Sequence, residues 1–557
     1  MHILHRLNTN RYGWPLVLFL AWLGLYITNV VLFPIGLGWD EIVNIATAHG
    51  IARDGDFSAR EYTVMGIIQD GYPNHLGYYP LFATYLALFL KVIGTSLGTV
   101  HFANWIAFLI TTLLVYVTMY TCTKRRMLSG ATALAYLIFP GIWRDTISGL
   151  MEPVGALLTI LTAYIVVRMF RRGAITGRSA VLLGTLLAIL WLYKMILIGT
   201  ILGVVIFIVA LYRIIPGAHS GGKWVSLKRF LPTTIGVCVA LIFIATTYVF
   251  YPLSTAYTSN PAQQANQSYA KFLGGALEKP LKMLTERSSY LLWKVALPQV
   301  IYPGLQTPYQ ISFSVFARYF IFLFTLGVLI LPLLWKKLSA EGRGLSLMAV
   351  SAILSFNIIA HLALEIGPDL FFRYNLYYVP LYVCLMGILA GTVAETIRNQ
   401  PEMRRILLMG GLTAVAVFYI PLTITMFAHQ VALERRYNEL GERNAMIVRA
   451  FTHKTRPAFV YFNKGSHTPI TQYPMRQISQ DATGAQIERI NQVLPEPIAF
   501  LFLRERDWLF EEYKTDIAKR RPIIGGSYRF VGNANVPNDD EWRMVVYRYD
   551  PTEGVTR

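Results

Sequence analysis

The ionisable residues that stand out in this chain are those that adjoin long apolar runs. Asp40 and Glu41 follow the first such run, in Gly38-Trp39-Asp40-Glu41. Glu152 sits in Gly149-Leu150-Met151-Glu152-Pro153, Lys194 ends a Gly- and Leu-rich run, and Arg373-Tyr374 precedes a late one. Charge at the edge of a bilayer is costly unless it faces water, a partner or a substrate. Carboxylates and cations gathered at one membrane face suit the transfer of a group from a lipid-linked phosphate. A carboxylate takes the proton from an acceptor hydroxyl as it attacks. Lysine and arginine hold the phosphate and stabilise its charge as it leaves, arginine through two parallel hydrogen bonds. The lipid tail lies between helices, which is why such a site belongs at the membrane boundary.

Taken singly, each residue has an ordinary reading. Asp40 or Glu41 caps a helix in a loop, Glu152 favours a helix amino terminus, Lys194 snorkels to the interface, and Arg373 pairs with Asp369. A joint role follows from the elements that would position them. A helix needs about 20 apolar residues to cross a bilayer. That rule gives about eleven spans, near 14–36, 100–120, 129–147, 150–169, 179–194, 195–212, 231–251, 315–335, 345–365, 375–395 and 405–427. With the amino terminus inside, the cytoplasmic loops are 121–128, 170–178, 213–230, 336–344 and 396–404. These hold Lys124-Arg125-Arg126, Arg171-Arg172, Lys223 with Lys228-Arg229, Lys336-Lys337 and Arg404-Arg405. That is the asymmetry of the positive-inside rule. The same parity brings Asp40, Glu41, Glu152, Lys194 and Arg373 to the opposite face.

Composition agrees. The chain has 557 residues, of which 54% are hydrophobic and 15% charged, against about 25% charged in a soluble protein. The apolar runs are long and continuous, which excludes the short alternating strands of an outer-membrane barrel. The net charge of +19 invites a nucleic-acid reading, but the basic residues punctuate apolar runs and form no aromatic-interleaved module. Three cysteines, Cys122, Cys238 and Cys384, lie in or beside apolar runs without metal-ligand spacing, so packing is their expected role. Arg6 and Arg11 before the first apolar run resemble a signal anchor, kept here as the first span.

Two outer loops are long. Loop 37–99 carries a short apolar stretch, Tyr78 to Leu90, broken by Pro80 and suited to helices lying in the interface. Loop 252–314, with Asn260-Pro261-Ala262-Gln263-Gln264 and Tyr302-Pro303-Gly304, has the length of a lid or binding loop. After about residue 430 the character changes. Glu434-Arg435-Arg436 opens a charged helical stretch, and runs at 458–462, 498–503 and 544–549 read as strands, with a helix at Trp508 to Tyr513. The expected organisation is a membrane module over 1–430 and a small soluble α/β domain over 431–557. No GxxxxGK, HExxH or GxSxG motif occurs, which removes the usual marks of an ATP-driven pump, a zincin and an α/β-hydrolase.

The order of these features resembles the GT-C superfamily of polyprenyl-phosphate-sugar glycosyltransferases. It is most similar to the branch of protein O-mannosyltransferases and lipid A aminoarabinose transferases. That branch carries an acidic motif after the first helix, as in Asp40-Glu41, followed by a Gly-Asp-Phe, as in Gly55-Asp56-Phe57. A Pro-Pro-Leu-like segment follows, here Tyr79-Pro80-Leu81-Phe82 with Gly94 closing it. Glu152 stands where a second acidic residue, often Asp, is found. Leu192-Tyr193-Lys194 matches the lysine ending a Gly-Leu-rich helix, and Arg373-Tyr374 with Pro380 matches an Arg-Tyr before a late helix. His75 is the nearest counterpart of a Lys or His beside the Pro-Pro-Leu motif.

The resemblance implies an α-helical polytopic membrane enzyme of GT-C type and an inverting reaction. An acceptor hydroxyl on a lipid, glycan or protein attacks a sugar carried on polyprenyl phosphate. Of the pair Asp40 and Glu41, the family pattern favours the first as the base, with Glu41 and Glu152 then shaping the acceptor and sugar pocket. Lys194, Arg373, Tyr374 and His75 would lie at the lipid phosphate. No cofactor is required on this reading, since two cations neutralise a monophosphate; a divalent ion held by three carboxylates is the alternative. The implied location is the inner (plasma) membrane, with the site and the carboxyl-terminal domain outside the cytoplasm. A transporter or flippase is the competing class, but such proteins often show internal repeats and midplane charges, and neither is seen here.

Overall fold

Apolar runs in lipid become helices because each backbone N–H and C=O must be satisfied within the chain. The computed structural model describes residues 10, 12–32, 39–55, 80–139, 149–172, 177–194, 197–214, 222–245, 327–362, 374–397, 399–400, 402–403, 406, 409–410, 450, 459–462, 476–479, 491, 497–506, 528–535 and 542–549. In chain order the helices are α1 (Gly13–Leu32), α2 (Trp39–Asp54), α3 (Pro80–Ile93), α4 (Leu97–Thr123), α5 (Arg126–Leu137) and α6 (Glu152–Arg172). They continue with α7 (Gly177–Tyr193), α8 (Ile198–Ile214), α9 (Gly222–Ile244), α10 (Ala340–Leu362) and α11 (Val379–Thr396), the last preceded by a 3₁₀ turn, Leu376–Tyr378. Among the described residues, four helical segments are long and apolar enough to cross a membrane: Gly13–Val30, Gly98–Thr123, Glu152–Met169 and Leu376–Thr396. Shorter apolar helices run over Leu81–Ile93, Gly177–Tyr193, Ile198–Phe207 and Leu231–Ile244.

The spans expected near 14–36, 100–120, 150–169, 179–194, 195–212, 345–365 and 375–395 all have a helix in register. The one expected at 231–251 begins earlier, because α9 accommodates Pro232 within its length. Most of the span expected at 405–427 lies outside the described residues. The segment 37–99, expected to hold interface helices, carries α2 and α3, which pack on each other.

Small residues let the helices approach. Gly199 and Gly203 in α8 are four apart and so share a face. A Cβ at Gly203 would come within 2.8 Å of the Ala352 Cβ in α10, and one at Gly199 within 2.6 Å of the Tyr378 hydroxyl. On the other side of the bundle, aromatic rings fill the α1–α4 seam. Trp22 donates its indole N–H to the Trp105 carbonyl at 2.9 Å and meets Trp105 edge to face.

One end of the bundle gathers three of the basic loops. Arg125 pairs with Glu395, Lys337 Nζ donates to Thr396 Oγ1 at 3.1 Å, and Ser339 Oγ donates to the Cys122 carbonyl at 3.0 Å. Lys124 takes the left-handed conformation that ends α4 and returns its ammonium to the Thr121 carbonyl.

The carboxyl-terminal segment forms a five-stranded sheet in the order β2-β1-β3-β5-β4. The strands are β1 (Phe459–Phe462), β2 (Arg476–Ser479), β3 (Phe500–Arg506), β4 (Tyr528–Asn535) and β5 (Trp542–Tyr549). β2, β1 and β3 are parallel; β3, β5 and β4 are antiparallel. The three strands expected from the sequence are β1, β3 and β5. Two edge strands were not expected: Arg476–Ser479 is short and half polar, and β4 carries a bulge between Phe530 and Gly532 where glycine and asparagine read as a turn. The helical stretches expected near Glu434 and at Trp508 to Tyr513 lie outside the described residues. Tyr528 closes this sheet, its hydroxyl donating to the Ile498 carbonyl at 2.8 Å and accepting from Asn491 Nδ2 at 2.7 Å. Burial pushes the Tyr528 phenol up, with the Asn491 hydrogen bond opposing.

Candidate active site

The end of the bundle opposite Arg125 collects the acidic and basic residues. Glu152 opens α6, Lys194 follows α7 directly, and Tyr374 and Tyr377 precede α11. Glu152 is only 1% exposed and Lys194 7% exposed. Lys194 Nζ lies 3.9 Å from Glu152 Oε1. Its ammonium also sits over the Tyr374 ring, 4.3 Å from the centroid, and 5.5 Å from that of Tyr377. The Tyr377 hydroxyl donates to Glu152 Oε1 at 3.4 Å, and the two tyrosine rings stack, 6.4 Å apart and 16° from parallel.

This geometry settles the ordinary reading of Lys194. A snorkelling lysine carries its head to water, whereas this one is enclosed by two aromatic faces and a carboxylate. Charge buried in protein is stable only when paired or hydrogen-bonded, and cation–π contact adds about 2 kcal/mol when the cation is desolvated. The 3.9 Å separation exceeds that of a charge-assisted hydrogen bond. The carboxylate therefore neutralises the ammonium without a direct hydrogen bond to it.

The turn that carries Glu152 is fixed from three sides. Asn44 of α2 donates Nδ2 to the Gly149 carbonyl at 3.5 Å. Asn104 of α4 donates Nδ2 to the Leu150 carbonyl at 2.9 Å. Tyr193 of α7 donates its hydroxyl to the Met151 carbonyl at 2.7 Å. The first two carbonyls precede the helix and have no place in its ladder, so buried side-chain donors satisfy them. Three successive carbonyls thus tie three helices to the residue just before Glu152.

Asp40 and Glu41 occupy the first turn of α2. Position 40 stands one turn ahead of Asn44, on the same face of the helix. The helix that begins with the acidic pair is therefore the one that touches the Glu152 turn. Arg373 and His75 lie outside the described residues; Tyr374, beside Arg373, is at the site. Sequence reasoning missed Asn44, Asn104, Tyr193 and Tyr377. The available signals were two polar amides within or beside apolar runs and a tyrosine three residues after Tyr374.

Tyr377 depends on a glycine. A Cβ at Gly155, one turn into α6, would collide with the Tyr377 ring. Among the described residues no group of three His, Cys, Asp or Glu side chains is placed to hold a metal ion.

The bundle, the paired helices α2 and α3 and the appended sheet together make a fold that recurs among solved structures. Two solved structures, each covered over most of its length, share it. ArnT from Cupriavidus metallidurans bound to undecaprenyl phosphate aligns with a TM-score of 0.55 at 13% identity, over 96% of this chain and 98% of that one. The Archaeoglobus fulgidus oligosaccharyltransferase in the apo form aligns with a TM-score of 0.54 at 12% identity, over 95% and 75%. The latter is also known with Zn and sulfate, and the oligosaccharyltransferase AglB from Archaeoglobus fulgidus is known in complex with an inhibitory peptide and a dolichol-phosphate. No family model and no curated protein matches the sequence.

Proposed function

We propose that the chain is an integral membrane glycosyltransferase that moves a sugar from a polyprenyl-phosphate donor to an acceptor hydroxyl. The observation that carries this reading is the enclosed Lys194 ammonium, with Glu152, Tyr374 and Tyr377 around it, at the end of the bundle where the acidic helix α2 begins. An ammonium held by a carboxylate and two aromatic faces at a helix end can exchange part of that pairing for an anionic ligand, and two solved neighbours are known with lipid phosphates bound.

In the proposed reaction Asp40 takes the proton from the acceptor hydroxyl as its oxygen attacks the anomeric carbon. The bond from that carbon to the phosphate oxygen breaks, and the lipid monophosphate departs with both electrons. Attack opposite the leaving group inverts the anomeric centre. Lys194 and Arg373 neutralise the departing phosphate, Tyr374 and His75 flank it, and Glu41 orients the acceptor. Glu152 holds Lys194 in place and neutralises it when no donor is bound, besides closing the sugar pocket. A divalent ion is not needed for this charge balance.

The site and the 431–557 domain face away from the cytoplasm in this reading. The convergence of loops 121–128, 336–344 and 396–404 at the other end supports that orientation under the positive-inside rule.

The test is to incubate purified protein with radiolabelled polyprenyl-phosphate sugar and membrane extract. Label should pass to a hydroxyl-bearing acceptor with inversion, and free polyprenyl phosphate should accumulate. Passage of intact solute or lipid across proteoliposomes, with no label transferred, would support a transporter instead.

A further inference from the structure

At the same end of the bundle as Glu152, but between α1 and α4, lies a cavity of about 380 Å³. That volume is within the range of ligand sites, roughly 300–1,000 Å³. Its walls are aromatic, formed by Tyr26, Phe102 and Trp105, and Asn29 and His101 also line it. Both polar residues are deeply buried, Asn29 at 3% and His101 at 4% exposure. Asn29 Nδ2 donates to the Leu25 carbonyl at 2.8 Å, which fixes its amide orientation and leaves Oδ1 as the acceptor. Neither Asn29 Oδ1 nor His101 Nε2 has a hydrogen-bond partner among the described residues. Two such atoms on one cavity are costly, about 1–3 kcal/mol each when unsatisfied.

The chemistry of the lining selects the occupant. Among the described residues no Lys, Arg, Asp or Glu lines it, so these walls offer no charge to hold a phosphate. A bare hydrocarbon chain would leave Oδ1 and Nε2 unsatisfied. A neutral group that both donates and accepts satisfies both: it donates to Asn29 Oδ1 and accepts from His101 Nε2–H in the neutral tautomer that carries its proton there. Val30 and Ile93 also line the cavity and are 57% and 54% exposed, so it opens on a side that acyl chains cover in a membrane.

We propose that Asn29 and His101 form a binding site for the hydroxyl at the neck of a neutral lipid, whose chain lies against Tyr26, Phe102 and Trp105. The site rests on the chain's lying in a membrane and is independent of the transferase reading. A hydroxyl on a bilayer lipid or on an acylated acceptor would be recognised alike.

Native mass spectrometry of the purified protein tests this with two probes of equal chain, 1-monooleoylglycerol and methyl oleate. The wild type should retain monooleoylglycerol about tenfold better, the worth of one or two buried hydrogen bonds. The double variant Asn29→Leu, His101→Leu should lose that preference while melting no lower than the wild type, since it removes both unsatisfied atoms. Should it fail to fold, His101→Phe alone should reduce the preference. Equal retention of the two probes by the wild type, or an unchanged preference in a folded variant, overturns the proposal. So does displacement of monooleoylglycerol by undecaprenyl phosphate, which would make the cavity part of the donor site. Loss of glycosyl transfer without a change in probe preference would bear on the transferase reading alone. If monooleoylglycerol pre-bound at this site slows transfer, the hydroxyl belongs to an acceptor lipid; if transfer is unchanged, to a bilayer lipid.

Discussion

Lys194 Nζ stands 3.9 Å from Glu152 Oε1 and 4.3 Å from the centroid of the Tyr374 ring, so one buried cation is shared between a carboxylate and an aromatic face. The pair joins the end of α7 to the start of α6, 42 residues earlier. Removing either partner leaves the other charge buried alone, at a cost of about 3–5 kcal/mol. Lys194→Met and Glu152→Gln should each lower the melting temperature sharply, and the double variant should recover much of the loss. Additive losses in that cycle would show that the two side chains act independently. Lys194→Met should also raise the donor dissociation constant in a lipid-phosphate binding assay, and the double variant should not restore it.

Asp40→Asn should reduce transfer by roughly two to four orders of magnitude, the usual contribution of a general base. Donor binding and the melting temperature should stay near wild-type values. Glu41→Gln should have the smaller effect. A fully active Asp40→Asn protein would remove the base assignment, and a reversed ranking would move it to Glu41.

Gly155→Ala places a methyl group in the Tyr377 ring. The ring has to leave its position, at a cost of about 1–3 kcal/mol for overpacking, and its hydroxyl leaves Glu152. Donor affinity should fall although no donor-facing residue has changed. Adding Tyr377→Ala should relieve the strain, visible as a rise in melting temperature over Gly155→Ala alone, without restoring affinity. Recovery of both would assign Tyr377 no part in holding the site.

Asn104→Leu leaves the buried Leu150 carbonyl without its donor, which should lower stability by about 1–3 kcal/mol. Because that carbonyl lies two residues before Glu152, transfer should fall more than stability alone explains. Denaturant melts alongside initial rates, both on the same preparation, separate the two effects. A rate loss that merely tracks the unfolded fraction would reduce Asn104 to a packing residue.

Treatment with EDTA should leave the transfer rate unchanged, because Glu152 is already engaged by Lys194 and Tyr377. Loss of activity on chelation, restored by a divalent cation, would instead make the acidic residues metal ligands.

Much of the helical framework could be read from the sequence, since apolar length is a local property. Lys194 and Glu152 were also legible together, because loop parity alone assigns charges to one face. What could not be read was how they meet. Asn44, Asn104 and Tyr193 act on backbone carbonyls, which carry no residue signature, and their partners lie 105, 46 and 42 positions away. Tyr377 was hidden for a related reason: a tyrosine near an apolar run reads as packing until its neighbour is known. The close packing of α8 on α10 does have a signature, Gly199 and Gly203 four apart, but spacing alone does not name Ala352 as the facing residue. In the sheet, β1, β3 and β5 are rich in apolar residues and announce themselves, whereas the edge strands β2 and β4 take their structure from their neighbours.

The three carbonyls before Glu152 put the helices that grip them in phase. An α-helix turns about 100° per residue, so inserting one residue between Ser96 and Asn104 would swing Asn104 away from Leu150 altogether. The same holds between Trp39 and Asn44, and between Gly177 and Tyr193. An insertion should therefore be tolerated in the connections, while the helices that reach the Glu152 turn must keep their residue count, as gear teeth must keep their number for a train to mesh.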